Sequence, residues 1–323
     1  MSNYLINIGK KSKEALKNNL FTNHIKKKVL EKFNKKLKQE INNILLQNKK
    51  DLKYAKSINI KENLIDRLML NKKRIEQIRY SINEISKFKD PIGRVISSWK
   101  RPNGLLIKKV TIPIGIIGVI FESRPNVACD ISALCFKSGN NAILRGGSES
   151  AYSNKILIDL FRYSLKKNKF NPNTIQLIQK QNRKLVDFFL SKMDKYIDVI
   201  IPRGGKNLFK KVKKMSTVPT IGHLEGICHV YVDKDADLDM AISIVKNAKL
   251  RRTSNCGAVE TLLIDKNKID KFCYPILNEL SKNNCKIIGD KIIKKKFNNI
   301  FRVAKEKDWS TEYLAPIISV KCV

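Results

Sequence analysis

The segment between Pro113 and Ser150 places the strongest constraint on the fold of this chain. It begins with Ile114 to Phe121, a run rich in β-branched and aromatic residues, which is typical of a strand buried on both faces. Pro125 ends the strand, because proline has no N–H to donate to a sheet and restricts the residue before it. Asn126 then offers a cap for a following helix. The segment therefore predicts a buried parallel strand that leads into a helix.

The second half of the segment continues the same alternation. Residues 138–141 are tolerant of left-handed backbone and end the predicted helix, and Asn141 to Arg145 forms a second apolar strand. Gly146 and Gly147 then lead into a helix that extends from Ser148 to about Lys167. This order predicts a complete βαβ unit whose second helix starts in a way that suits an anion.

The pattern of strand, Gly-Gly and helix occurs a second time. Tyr196 to Ile201 is an apolar strand, and the turn from Pro202 to Lys206 precedes a lysine-rich helix. A single Gly-Gly pair indicates only a tight turn, but two such pairs at the carboxyl ends of parallel strands favour a crevice for a phosphate or dinucleotide. The chain lacks the G-x-G-x-x-G fingerprint of the common Rossmann site.

The formal net charge is +36, from 65 lysine and arginine residues against 29 acidic ones. A field of this sign attracts phosphate backbones, so a basic nucleic-acid-binding protein is one alternative function. Lysine, however, accounts for most of the excess, and the lysines lie along the whole chain without a basic stripe interleaved with aromatic residues. We therefore interpret the charge as solvated helix faces and do not expect nucleic acid as a partner.

Length and composition indicate a folded protein with two domains. A chain of 323 residues, 42% of them hydrophobic, is long enough to bury more than one core. No apolar run approaches the roughly 20 residues that cross a bilayer, and the first residues lack the apolar centre of a signal peptide. The seven cysteines show neither paired nor metal-binding spacing, which is typical of reduced thiols. These features predict a cytoplasmic protein without a membrane partner.

The domain boundary is expected at residue 222. Residues 1–222 would form the nucleotide-binding domain, which begins with polar-faced helices and includes a β-hairpin at 94–112 around the Asn103-Gly104 turn signal. Residues 223–323 would form a second α/β domain, with its last strand at Ala315 to Val323.

Cys256 is the strongest candidate for a catalytic residue. It lies in a polar loop between a predicted helix and an apolar strand, and Arg251 and Arg252 precede it by five and four positions. The two cations favour a thiolate and attract an anionic substrate, and the backbone amides around Gly257 are suited to an oxyanion. The other six cysteines are predicted to lie inside apolar strands or helices, where a cysteine is usually a small buried residue.

A metal site is not predicted. His223 and His229 flank Cys228, but their spacing is that of a strand and no further ligand cluster accompanies them. The chain also lacks the nucleophile elbow of serine hydrolases and the phosphate-binding loop of nucleoside triphosphatases.

Taken together, these blocks resemble the gamma-glutamyl phosphate reductases, or glutamate-5-semialdehyde dehydrogenases, of the aldehyde dehydrogenase superfamily. The resemblance extends through essentially the whole chain, in Pro113–Ser150 with its ESRPN and LRGGSE, in Ile201–Lys206, His229–Met240 and Asn247–Thr261, and in Asp308–Tyr313. It implies an α/β fold of aldehyde dehydrogenase type, with a Rossmann-type cofactor domain, an α/β catalytic domain and a hairpin for homo-oligomerisation.

The resemblance also implies a reaction, the NADPH-dependent reduction of L-glutamate 5-phosphate to the semialdehyde in proline synthesis. Cys256 matches the nucleophile of the family, which displaces phosphate and forms a thioester. Aldehyde-oxidising relatives carry a water-activating glutamate where this chain has His223, with Glu225 two residues away, and its absence favours reduction. A coupling to glutamate 5-kinase is left open.

Residue roles follow from the same resemblance. For the catalytic step, Asn126 accompanies Cys256, and Asn126, Ser123 or the Cys256 amide is expected to contact the oxyanion. For the substrate, the expected contacts are Ser123, Arg251 and Arg252. For the cofactor, NADPH or NADP, the expected contacts are Arg145, Gly146, Gly147, Ser148, Pro202, Arg203, Gly204, Gly205 and Glu312.

The sequence departs from the family in two ways. Thr253, Asn255 and Gly257 replace the usual residues around the nucleophile. The family also normally continues well beyond Val323, so the catalytic domain is expected to be incomplete at its C-terminus. The alternatives are therefore another aldehyde dehydrogenase or acyl reductase of the superfamily, an inactive shortened remnant, and the basic nucleic-acid-binding protein considered above.

Overall fold

The computed structural model describes residues 2–18, 22–60, 62–222 and 226–323. Internal contacts divide the chain into two compact units, Met1–Gly222 and His223–Val323. In the part of the chain that is described, no helix is both long enough and apolar enough to cross a membrane. Each unit combines helices with a parallel sheet, so the predicted α/β class is confirmed.

The first unit begins with amphipathic helices, which are α1 (Ser2–Asn18), α2 (Asn23–Gln39), α3 (Ile41–Ser57), α4 (Glu62–Leu68) and α5 (Lys72–Lys87). Their apolar residues recur at helical spacing and face inward, as Phe33 and Ile82 do, while most of the lysines lie on the outer faces. Polar caps fix two of the starts, because Thr22 accepts from Ile25 N–H and Asn71 from Arg74 N–H.

A two-stranded antiparallel hairpin follows, formed by β1 (Val95–Lys100) and β2 (Leu106–Val110). Its turn closes where Arg101 N–H donates to Leu105 O at 2.9 Å, and Gly104 has a φ of +85°, which glycine adopts without strain. The side chains of both strands are mostly exposed, including large apolar ones. The hairpin predicted at 94–112 is therefore present.

The sheet of the first unit contains four parallel strands, β3 (Ile116–Phe121), β4 (Asn141–Arg145), β5 (Ile175–Leu177) and β6 (Val199–Arg203), in the order β5-β4-β3-β6. The helices that connect and follow them are α6 (Pro125–Lys137), α7 (Ala151–Lys167), α8 (Arg183–Ser191) and α9 (Lys206–Met215). Every residue of β3 and β4 is buried, as the apolar composition predicts. The strand order reverses between β3 and β6, where ligands of open α/β sheets usually bind.

Two local predictions in this unit are wrong. Asn126 does not cap α6, because the helix begins one residue earlier at Pro125 and Arg124 takes the cap position, where its side chain makes no capping hydrogen bond. Proline favours the first helical position, since its fixed φ suits a helix and its missing N–H is not needed there. The last strand is β6, Val199–Arg203, rather than 196–201, because pairing of Ile117 with Val199 sets its register.

The second unit has its own parallel sheet, formed by β7 (Cys228–Val232), β8 (Val259–Ile264), β9 (Lys286–Gly289), β10 (Arg302–Val303) and β11 (Ile317–Cys322), in the order β10-β9-β11-β8-β7. Its helices are α10 (Leu238–Leu250), α11 (Ile269–Lys282) and α12 (Lys291–Lys296). Asp237 caps α10 by accepting from Met240 N–H at 2.8 Å. The apolar core lies between the sheet and α11, where Phe272 and Leu277 are fully buried.

Candidate active site

The point where the first sheet reverses carries a carboxylate. Glu122 directly follows β3, and its backbone N–H donates to Arg203 O at the end of β6 (3.1 Å). Its side-chain Oε2 accepts from Gly205 N–H at 2.9 Å, at the start of α9. Gly205 caps this helix without a side-chain bond, and Glu122 is exposed. An anion therefore already lies at a helix start that would otherwise attract one.

A second carboxylate fills the space beside the first Gly-Gly turn. Glu149 Oε1 accepts from both the backbone N–H and the hydroxyl of Ser123, at 2.7 and 2.8 Å. Ser123 has a φ of +43° and is almost completely buried. A Cβ on Gly147 would lie 2.1 Å from Glu149 Oε1, so a larger residue here requires the Glu149 carboxylate to move. The hydroxyl of Ser123, predicted to contact the substrate, is thus engaged by Glu149.

Arg145 lies beneath the same turn rather than on its surface. The side chain is 6% exposed and donates to Gly146 O. Burial lowers the pKa of the guanidinium, and the nearby Glu149 partly opposes this effect. The guanidinium therefore supports the turn from inside the unit, and direct contact of Arg145 with a cofactor remains a prediction.

A small pocket of roughly 130 Å³ opens beside Gly146, at the carboxyl ends of β4 and β5. Its walls include the apolar side chains of Leu177 and Ile178 and the ring of Tyr152. Asn154 forms part of the lining and is 1% exposed, and its Oδ1 has no hydrogen-bond partner among the described residues. A buried acceptor without a donor favours a ligand that carries an N–H or O–H.

Asn126 lies in the first turn of α6 and is half-buried. Its Nδ2 donates to Asp130 Oδ2 one helical turn later, at 3.3 Å. Burial raises the pKa of the Asp130 carboxyl, an effect that this hydrogen bond partly offsets. The amide predicted as an oxyanion contact is therefore linked to a poorly solvated carboxyl group.

Cys256 is exposed at the surface of the second unit. Its loop, residues 251–258, connects α10 to β8 and is shaped by two turns, in which Asn255 N–H donates to Arg252 O (3.1 Å) and Ala258 N–H to Asn255 O (3.0 Å). Arg251 and Arg252 are also exposed, and a Cβ on Gly257 would meet nothing within 4 Å. The structure thus combines a thiol and two guanidinium groups in one solvated loop.

Most of the other cysteines lie in a different environment. Burial raises the pKa of the Cys129 thiol, that of Cys135 to about 12 and that of Cys285 to about 11, so these groups stay protonated. Cys228 and Cys322 lie in strands, as predicted, but they are only half-buried and are therefore not core residues. Cys228 begins the edge strand β7, where one side is open, and Cys322 ends β11.

Glu312 approaches the cysteine loop. Its Oε1 accepts from Gly226 N–H at 3.4 Å, and a Cβ on Gly226 would lie 2.9 Å from Cys256 O. The thiol of Cys228 also donates to Cys256 O, at 3.5 Å. The second unit therefore brings the predicted nucleophile and Glu312 to the same short segment, whereas His223 and Glu225 lie outside the described residues.

Sequence reasoning missed three carboxylates around these sites, those of Glu122, Glu149 and Glu260. Glu260 is fully buried and pairs with Lys249 at 2.6 Å. A signal was available for Glu260, since it is a charged residue in an otherwise apolar run that forms β8. No local pattern indicated the partners of Glu122 and Glu149, because those partners are distant in sequence.

The sequence profile of the aldehyde dehydrogenase family matches residues 23–292. A gamma-glutamyl phosphate reductase from Nautilia profundicola is 44% identical over 300 residues, which is 93% of this chain and 72% of the relative. One from Clostridium tetani is 41% identical over 333 residues, covering 100% of this chain and 78% of the relative. The chain is thus similar to about three-quarters of the length of these relatives.

Solved structures give the same picture. The crystal structure of gamma-glutamyl phosphate reductase from Thermotoga maritima matches with a TM-score of 0.89 and 38% identity, over 99% of this chain and 77% of that chain. An engineered glycolyl-CoA reductase with bound NADP+ matches with a TM-score of 0.67 and 14% identity, over 98% of this chain and 76% of that chain. At 14% identity the second match indicates a shared fold only.

Proposed function

This chain belongs to the aldehyde dehydrogenase family and, within it, to the gamma-glutamyl phosphate reductases, and from that membership we propose that it reduces L-glutamate 5-phosphate to L-glutamate 5-semialdehyde with release of phosphate. The observation that carries the proposal is the exposed thiol of Cys256 in a loop that also exposes two arginines. The reaction would be a step in proline synthesis from glutamate.

We infer that NADPH is the reductant, and the residues of the first unit fit a dinucleotide. The start of α9 suits a phosphate that takes the place of the Glu122 carboxylate, and a Cβ on Gly205 would have no neighbour closer than 3.9 Å, so a ligand can approach its backbone. Asn154, whose buried Oδ1 has no hydrogen-bond partner among the described residues, lines the pocket beside Gly146. When bound, NADPH supplies the hydride, and Glu312 is proposed to hold the nicotinamide ribose.

Cys256 would carry the acyl group. Its thiolate attacks the carbonyl carbon of the acyl phosphate, a C–S bond forms, and the C–O bond to phosphate breaks, so that phosphate leaves with the electron pair. Arg251 and Arg252 are exposed in the same loop and would attract the anionic substrate before attack. After reduction, the thiohemiacetal returns the thiolate and releases the aldehyde.

The experiment that tests the proposal compares acyl acceptors in the reverse direction. The full chain is incubated with glutamate 5-semialdehyde and NADP+, and NADPH formation is followed with phosphate, coenzyme A or neither added. The proposal expects a rate that depends on phosphate. A rate that needs coenzyme A, or that is independent of both, would instead indicate an acyl-CoA reductase or an aldehyde-oxidising dehydrogenase.

We also propose that the hairpin at 94–112 forms a contact between copies of this chain. Ile96, Trp99 and Leu106 are 45 to 56% exposed on a ribbon that has no covering helix among the described residues. Exposed apolar patches of this kind mark interaction surfaces. Light scattering of the chain and of Trp99→Lys checks the proposal, which expects the variant to have the lower mass.

A further inference from the structure

The second unit contains an ion pair that the reaction itself does not use. Lys249 Nζ lies 2.6 Å from Glu260 Oε2, and both side chains are 0% exposed. Lys249 is in the last turn of α10 and Glu260 is the second residue of β8. The loop that carries Cys256 connects these two elements, so the ion pair joins the two ends of the loop.

The other oxygen of Glu260 holds a different segment. Glu260 Oε1 accepts from Leu314 N–H at 3.1 Å, and Leu314 has a φ of +52°, which is unfavourable for a residue other than glycine. This hydrogen bond therefore stabilises a strained backbone two residues after Glu312. Glu312 in turn accepts from Gly226 N–H, beside Cys256 O. The segment 312–314 is therefore linked to the Cys256 loop through Glu312 and to the base of that loop through Glu260.

We propose that Lys249 and Glu260 are positioning residues that fix the Cys256 loop relative to the Glu312 segment. The effect on turnover rests on the proposed function, whereas the effect on local structure does not. The physical argument is that burying two charges is costly and that apolar replacements of a buried pair are often equally stable. Stability alone therefore does not require the pair, but a fixed geometry does, because one carboxylate bonds two elements at once.

The surrounding contacts predict that the unit tolerates loss of the pair. Tyr313 donates to Asp308 Oδ1 at 2.9 Å, and Asp308 also pairs with Arg302, so the segment before Leu314 stays attached. Leu314 itself is 38% exposed, so its backbone lies at the surface of the unit and has room to shift when the acceptor is lost. An apolar double substitution should then change local position without unfolding the unit.

The test compares two double variants with a matched control. Lys249→Met/Glu260→Leu removes both the charges and the acceptor for Leu314 N–H. Lys249→Met/Glu260→Gln removes the charges but keeps a side-chain oxygen. The control, Lys246→Met/Glu279→Leu, removes a partly exposed ion pair of 2.7 Å that joins the same helix α10 to α11.

Three readouts are measured on the full chain, namely the thermal midpoint, amide hydrogen exchange without ligand, and kcat with KM. For Lys249→Met/Glu260→Leu we expect an unchanged midpoint, at least tenfold faster exchange confined to 252–258 and 311–316, and a kcat at least tenfold lower with KM within threefold. The Gln variant should exchange more slowly at 311–316 than the Leu variant, and the control should match the unmodified chain.

The proposal is overturned if the Leu variant keeps the exchange and kcat of the unmodified chain, or if both double variants exchange identically at 311–316. Faster exchange throughout residues 226–323 would equally contradict it, since the pair would then serve stability alone. If the unmodified chain shows no reductase activity, the proposed function fails, and the exchange data still decide the positioning role.

Discussion

The glutamates beside the two candidate sites lie in opposite environments. In the first unit, Glu122 is exposed and Glu149 is half-buried, and both lie beside the glycine turns where a cofactor is proposed to bind. In the second unit, Glu260 is completely buried with Lys249 beneath the loop that exposes Cys256. The first arrangement can be displaced by a ligand, whereas the second cannot change without repacking the core.

This difference in burial distinguishes side chains that can contact a ligand from side chains that fix the position of neighbouring segments. A carboxylate at a solvated helix start contributes little stability, because water and salt screen it. A carboxylate in a dry interior contributes a defined geometry and becomes strongly unfavourable when its partner is removed. We therefore expect substitutions in the two units to affect binding in the first and positioning or stability in the second.

The largest effect is expected for the thiol that the buried pair supports. Cys256→Ser should lower the phosphate-dependent rate by about 10³-fold or more, because serine is a far weaker nucleophile than a thiolate. Its free energy of unfolding should stay within about 0.5 kcal/mol, since the residue is exposed. Initial rates and denaturant unfolding measure the two quantities, and Cys322→Ser, at a half-buried thiol of the second unit, is the control. Substantial activity in Cys256→Ser would remove the basis for the nucleophile assignment.

The buried and the accessible carboxylates can be compared directly by the same substitution. Glu260→Gln leaves Lys249 charged and without its buried partner, so it should cost about 3–5 kcal/mol of unfolding free energy. Glu149→Gln keeps an oxygen for Ser123 and should cost about 0.5–1.5 kcal/mol. Urea unfolding of both variants measures the difference. Equal losses would mean that the two environments are not distinct.

The two Gly-Gly turns provide a smaller contrast with closely matched backbones. Gly147 and Gly205 both have extended φ and ψ values that alanine adopts freely. A Cβ on Gly147 would move the Glu149 carboxylate away from Ser123 and cost about 0.5–1.5 kcal/mol, whereas Gly205→Ala should stay within about 0.5 kcal/mol. Thermal unfolding of the two variants tests this. A larger loss for Gly205→Ala would contradict the packing shown by the structure.

The smallest effect is expected at the start of α9, where the Glu122 carboxylate lies and where a phosphate group of NADPH is proposed to bind. Glu122→Gln keeps the hydrogen bond from Gly205 N–H but removes the charge, which should strengthen NADPH binding by about 0.3–1 kcal/mol at low salt. Fluorescence titration measures the affinity, with Glu84→Gln on α5 as an exposed control. Weaker NADPH binding by Glu122→Gln would instead indicate that Glu122 stabilises the binding site.

The strands could be predicted from the sequence because strands that are buried on both faces are apolar along their whole length. β3 and β4 are apolar along their whole length, and the family and its α/β fold, recognised from ordered blocks such as LRGGSE, are confirmed by the comparisons. The exposure of Cys256 also followed from its local surroundings, a polar loop between two apolar elements. In these cases the residues that determine the local structure lie within one short segment of the sequence.

Other features depend on partners that no short segment contains. The start of β6 is set by pairing with β3, and the role of Glu149 by Ser123, 26 residues away. Lys249 and Glu260 are only 11 residues apart, but their contact depends on how α10 returns to β8. Asn126 looked like a cap because its type suits one, and Pro125 decided the helix start instead.

The central claim, that Cys256 carries the acyl group, is tested most directly by its chemical modification. The full chain is treated with less than one equivalent of iodoacetamide, and residual phosphate-dependent activity is compared with the labelled fraction of each cysteine by peptide mass spectrometry. The account predicts that activity falls in proportion to labelling of Cys256 and that the semialdehyde with NADP+ slows this labelling. Activity that stays full while the labelled fraction of Cys256 rises, or loss that follows labelling of Cys228 instead, would contradict it.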